Sequence, residues 1–219
     1  MHTRRTPPPE IYYPESDGKP MAETDVHRNW MFWIIEMLQF FFHGTYVYVS
    51  GNLLIYYLQG DPKKRVAPDV FVVKNCEQRQ RRTFKIWEEG KGLAFALEVT
   101  SKKTRRQDLG PKMELYAQLG VLEYFLYDPL GEWLKPALQG FRLVDGSYLP
   151  LELDENAGLV SEQLGITFRL DGGQLVLFNT ATGERLRTAA ERAQEAEAHM
   201  NDVTWLEQQL ARLQAERNR

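Results

Sequence analysis

The chain has one cysteine, Cys76, in 219 residues, which excludes an internal disulfide and any thiolate cluster for zinc. It lacks an apolar run near the roughly 20 residues that a membrane span needs. Its first stretch, MHTRRTPPPEIYYPESDGKP, lacks the apolar segment of a secretory leader. The expectation is a cytoplasmic protein with no membrane partner. It also lacks a strong overall charge: at −3, nothing pulls the whole chain toward nucleic acid. No helix-turn-helix or zinc module is visible, and no glycine loop of the kind that cradles a nucleotide phosphate.

What is present is apolar content, 43% of residues, enough for one sizeable core. The composition divides the chain into an irregular lead (1–20), a folded domain (21–183) and a terminal helix (184–219). Positive charge is local. KKR at 63–65, RQRR at 79–82 and KKTRR at 102–106 leave Arg79, Arg81, Arg82, Lys102, Lys103, Arg105 and Arg106 as candidates for phosphate contacts that would weaken with salt. Runs of this kind are more often solvated loops, and the Lys102–Lys103 pair in particular reads as hydrated.

Periodicity supplies the elements. After Thr24, a good N-cap, Trp30, Trp33, Ile34, Met37, Leu38 and Phe41 form an apolar stripe, with Gly44 as the stop. YVYVS and LLIYYL read as a hairpin turning at Gly51–Asn52. RVAPDVFVV is a strand opened by Asp69, and a polar loop then runs to Gly92. LAFALEVT is apolar almost throughout, as a central strand covered on both faces should be. A helix over 104–120 follows, with Asp108 or Gly110 as cap, Pro111 in the first turn and Gly120 at the end. VLEYFLYDP is the next strand, and the strand–helix–strand order implies a right-handed crossover between parallel neighbours. Turns at Asp145–Gly146 and Asp171–Gly172–Gly173 mark antiparallel additions. Beyond Leu186, Ala189, Ala193, Ala196, Met200, Val203, Leu206, Leu210 and Leu213 recur at three- and four-residue spacing, the seam of a coiled coil that points to a homo-oligomer, a dimer first; a helix folded back on its own domain is the alternative.

The chemistry concentrates in FALEVTSKKTRRQDLGPK, residues 95–112. A carboxylate at the end of a buried strand is costly without a partner, and Glu98 is such a group. Asp69 opens a neighbouring strand, so both acids can reach one sheet edge, where hard oxygen donors suit Mg²⁺. Taken singly, a strand-end acid is more often a cap or a surface ion pair. Thr100 shares the face of Glu98 by strand alternation. Lys112 lies on the helix stripe of Leu115, Tyr116 and Leu119, on the side that packs against the sheet, although a lysine in a first turn opposes the helix dipole. A lysine snorkelling to water explains that placement equally well.

Together, PDVFVV, LEVTSKKTRRQDLGPKMELYAQLGVLEYFLYDP and the upstream YYPESDGKPMAETDVH resemble the Uma-type family of bacterial restriction-endonuclease-like proteins, within the PD-(D/E)XK nuclease superfamily. The resemblance spans about residues 11–180. It implies an α/β fold: a restriction-endonuclease-like mixed sheet flanked by helices, with added antiparallel strands and the coiled-coil-like C-terminal helix. It also implies a Mg²⁺- or Mn²⁺-dependent endonuclease acting on DNA, with Asp69 and Glu98 as metal ligands. Thr100 occupies the strand position where the superfamily has its lysine, and Lys112 is the matching residue displaced to the following helix. Glu23 is a candidate third metal ligand, and His27 and Tyr116, with Thr100, are candidate accessory residues. The competing functions are an inactive nuclease-like module that binds nucleic acid or protein through a helix-assembled oligomer, and a metal hydrolase of small substrates.

Overall fold

The computed structural model describes residues 11–16, 18 and 24–217. Helix α1 (Asp25–Phe41) starts where Thr24, in extended conformation, accepts a hydrogen bond from the His27 amide at 3.2 Å, the cap expected of it. It stops at Phe42, two residues before the suggested Gly44, which instead takes φ 76° in the following turn. The buried face is His27, Met31, Ile34, Met37 and Leu38. Trp33 is 39% exposed and leaves the expected stripe, because two helical steps carry it about 200° round from Met31.

The hairpin expected at Gly51–Asn52 does not form. Strand β1 (Val47–Ser50) belongs to the main sheet, whereas β2 (Ile55–Tyr56) lies between β3 (Arg65–Val66) and, further along the chain, Phe84–Lys85 in a small separate sheet. Close approach explains the departure. A Cβ on Gly51 would stand 1.9 Å from the Asp69 carbonyl oxygen, and the Asn52 amide donates to the Pro68 carbonyl at 2.8 Å. The Gly–Asn pair thus braces the segment that carries Asp69 rather than turning β1 back on itself.

β4 (Val70–Lys74) pairs antiparallel with β1. The segment expected as a polar loop to Gly92 contains β5 (Phe84–Lys85) and a single turn, α2 (Ile86–Glu89). β6 (Phe95–Val99), wholly buried, lies between β4, antiparallel, and β7 (Glu123–Tyr127), parallel. The connecting helix is two pieces, α3 (Arg105–Asp108) and α4 (Pro111–Gln118). It breaks because proline has no amide to donate and pushes its predecessor away from helical dihedrals, here to φ −130°, ψ −99° at Gly110. Gly120 ends α4 at φ 71°, as its position suggests.

β8 (Leu138–Val144) and β9 (Ser147–Pro150) form a hairpin at Asp145–Gly146 and complete a six-stranded mixed sheet ordered β1-β4-β6-β7-β8-β9. β10 (Gly158–Ser161), β11 (Ile166–Asp171) and β12 (Gln174–Asn179) do not extend that sheet but make an antiparallel sheet of their own, turning at Gly172–Gly173. Buried Glu123 pins it down by accepting from the Glu162 amide at 3.0 Å and from Ser161 Oγ. α5 (Ala189–Arg217) closes the chain with no buried residue, its base tied to α1 by Arg192, 2.8 Å from Glu36. No helix among the described residues is long and apolar enough to cross a membrane.

Two apolar clusters cover the main sheet. Phe95, Leu97 and Val99 pack with α1 and the small antiparallel sheet, and Ala96 packs with Tyr116, Tyr124 and Phe84 on the other side. Alternation along β6 therefore sends Glu98 toward α4.

Candidate active site

Asp69 and Glu98 lie across from each other. The β4–β6 ladder ends at Val70↔Leu97, and one further step in the same register sets Asp69 opposite Glu98. Asp69 Oδ2 accepts from the Val99 amide at 2.8 Å and contacts His27 Nε2 at 3.1 Å. The strand following Glu98 and the capped start of α1 thus hold the same carboxylate oxygen.

Glu98 is 0% exposed. Its two oxygens are taken by α4: Lys112 Nζ donates to Oε2 at 2.8 Å and Tyr116 hydroxyl to Oε1 at 2.6 Å. Residues 112 and 116 are four apart, so one helix face presents both donors. The Lys112 ammonium also lies 3.1 Å from Asp108 Oδ1. Asp108 is 1% exposed and neither of its oxygens accepts an aligned hydrogen bond, so this is an ion-pair contact. Sequence reasoning assigned Asp108 a capping role and missed it here. The available signal was its place four residues before Lys112, one helical turn away.

Charge accounts for the protonation states. Burial pushes the Glu98 carboxyl up to about 8, against the pull of Lys112 and aided by Asp69 and Asp108. Desolvation draws Lys112 down, but Glu98, Asp108 and Asp69 more than reverse it, and its pKa lies above the ordinary lysine value. Asp108 is raised by burial, with Lys112 opposing. Burial, then the Glu98 charge, holds the Tyr116 phenol well above its usual value, so it remains a donor.

A cleft of about 700 Å³ opens on this cluster. Asp69, Lys112, Thr100 and His27 line it, with Lys102 and Lys103 at its margin. Thr100 Oγ1 is buried and accepts or donates no hydrogen bond among the described residues. Of the other basic residues, Arg105 lies beside Trp133 on the cleft wall, its guanidinium 5.8 Å from the ring centroid. Arg106 is exposed on α3. The 79–82 run is elsewhere. The Arg81 side chain is 3% exposed, bonded to Glu89 at 2.8 Å and stacked on Tyr48; Arg79 also pairs with Glu89, and Arg82 pairs with Glu15. Glu23 lies outside the described residues.

The donor set suits a hard divalent cation. Mg²⁺ takes one or two carboxylates and keeps several waters, and Asp69 and Glu98 provide two carboxylates beside the unpartnered Thr100 hydroxyl. Among the described residues no three His, Cys, Asp or Glu side chains converge as a ready-made metal cage. Lys112 occupies the space between Glu98 and Asp108 with its own positive charge. A carboxylate oxygen has two lone-pair sites, so the bonds from Lys112 and Tyr116 leave acceptor capacity on Glu98.

A mixed sheet with acids at the facing ends of two strands, and a lysine of the following helix against one of them, is the arrangement expected of a restriction-endonuclease-like α/β protein. Residues 4–173 match the model of the Uma2 family, described as "putative restriction endonuclease", and the chain belongs to that family. Among solved structures it is similar to one described as a putative nuclease belonging to DUF820 from Anabaena variabilis ATCC 29413. That likeness has 15% identity and a TM-score of 0.49, over 67% of this chain and 78% of the other. No curated protein matches the chain.

Proposed function

We propose that this protein is a metal-dependent endonuclease that hydrolyses phosphodiester bonds of DNA, with Asp69, Glu98 and Lys112 as its working residues. The observation that carries the proposal is the Lys112 ammonium, held 2.8 Å from Glu98 and 3.1 Å from Asp108 at the floor of a cleft that Asp69 lines. Mg²⁺ or Mn²⁺ at Asp69 and Glu98 would supply Lewis-acid activation of water and offset phosphate charge. Lys112 stays charged and meets the negative charge that builds on phosphorus oxygens as the bond to the leaving oxygen breaks. Tyr116 fixes one Glu98 oxygen so that the other faces Lys112, and His27 does the same for Asp69. Lys102 and Lys103 hold flanking phosphates where the cleft meets solvent.

The alternative, a binding module without turnover, is favoured by one fact: both Glu98 oxygens are already engaged by the protein's own donors. Incubating the purified chain with supercoiled and single-stranded DNA in Mg²⁺ or Mn²⁺ separates the two. Cleavage is expected from the native chain and its loss from Asp69→Ala, Glu98→Ala and Lys112→Ala. Cleavage that survives all three substitutions would remove these residues from the mechanism. Metal binding without cleavage of any substrate would establish the binding module.

A further inference from the structure

One wall of the cleft is built by the loop after β7, and that loop is held firmly. Asp128 is 1% exposed and its carboxylate accepts from the amides of Leu130 at 3.1 Å, Leu134 at 2.9 Å and Trp133. Trp133 is therefore fixed in place at the cleft surface, half-buried. Two cations stand at its ring: Lys102 Nζ is 5.4 Å and Arg105 Cζ 5.8 Å from the centroid. None of these three side chains is among the proposed working residues Asp69, Glu98 and Lys112. An indole face bordered by cations is what an exposed base and its phosphates fit, since every base has a π-face and each flanking phosphate needs a positive partner.

Depth decides which form of nucleic acid reaches the acids. Glu98 is 0% exposed, while the Asp69 and Lys112 side chains are 15% and 21% exposed. At about 700 Å³ the cleft has the capacity of a small-ligand pocket. A double helix keeps its bases stacked inside and cannot lower one nucleotide into such a space without unpairing it. We propose that the cleft receives an unpaired nucleotide, its base stacked on Trp133 and its flanking phosphates on Lys102 and Lys103, so that single-stranded or locally unpaired nucleic acid is the preferred substrate. This rests on the nuclease reading only for the position of the scissile phosphate over Asp69 and Lys112.

The test measures binding apart from cleavage. Fluorescence anisotropy of the full chain with labelled 15-mers of oligo(dT), oligo(U) and a blunt duplex is recorded in EDTA at low salt. Single strands are expected to bind about tenfold or more tightly than the duplex. Trp133→Ala and Trp133→Leu, the second keeping apolar volume without a ring, are each expected to weaken single-strand binding about tenfold, with duplex binding nearly unchanged. Trp133→Phe is expected to retain most of the affinity. Comparison of the dT and U arms tells whether DNA or RNA is the source of the unpaired base. Equal binding of duplex and single strand, an unchanged affinity in folded Trp133→Leu, or no single-strand binding at all would each overturn the proposal. Trp133-independent binding with Asp69-dependent cleavage overturns the platform alone. Trp133-dependent binding without cleavage overturns the nuclease reading and leaves the platform standing.

Discussion

Replacing Lys112 by methionine tests the charge arrangement more directly than any activity measurement. The substitution keeps the length of the side chain but removes the ammonium from Glu98, 0% exposed, and Asp108, 1% exposed. Stripping one partner from a buried ion pair typically costs about 3–5 kcal/mol, because the charge left behind has neither water nor a counter-ion. Two features reduce that figure. The Lys112 side chain is 21% exposed, so water reaches part of the vacated space, and Glu98, already pushed up to about 8, can take a proton instead of remaining an anion. About 2–3 kcal/mol remains, which for a chain of this length lowers the melting temperature by roughly 5–10 °C. Adding Glu98→Gln removes one of the stranded carboxylates, and the double variant is expected to recover about 1–2 kcal/mol relative to Lys112→Met. Thermal unfolding followed by circular dichroism in EDTA reads both numbers. A Lys112→Met protein that melts within about 1 °C of the native chain, or a double variant no more stable than the single, would refute the reasoning.

Gly51→Ala would force a Cβ to within 1.9 Å of the Asp69 carbonyl oxygen, so the Asp69 segment must shift. The expected result is about 1–3 kcal/mol less stability and a loss of cleavage, measured well below the melting temperature, larger than unfolding explains; full activity would show that Asp69 tolerates displacement. We propose that α5 pairs with a second copy. Met200, Leu206, Leu210 and Leu213 are 57–65% exposed on a helix about 44 Å long. Sedimentation of the full chain as a dimer, and of a chain ending at Thr188 as a monomer, is the expected outcome, and a monomeric full chain would dispose of the idea.

Much of the site was legible because it depends on period and burial. An acid ending a continuously apolar strand demands a partner, and the stripe through Lys112 and Tyr116 indicated which helix face would meet it. What escaped was information that is not local. Gly51–Asn52 has the composition of a tight turn, and nothing nearby in sequence reveals that the backbone of Asp69 occupies the space into which a hairpin would fold. Asp108 read as a helix cap because it stands just before Pro111; its contact with Tyr124, whose hydroxyl bonds the Asp108 carbonyl at 3.0 Å, comes from a strand sixteen residues away. Arg81 looked like part of a basic run, yet Glu89, on the next helical turn along the chain, and Tyr48, far off in sequence, draw it inward. Trp33 fell within a generous apolar stripe whose true centre, Met31 to Leu38, only the packing partner selects.

Lys112 has one more consequence, for how the chain folds. Many small metal-binding domains stay unfolded until the ion arrives, and chelation unravels them. Here the cation is covalently built in, already lodged between Glu98 and Asp108. The chain can therefore fold with these buried carboxylates already balanced by its own ammonium, and under the metal-dependent reading proposed above a divalent ion would join as a late, reversible step and not as a condition of folding.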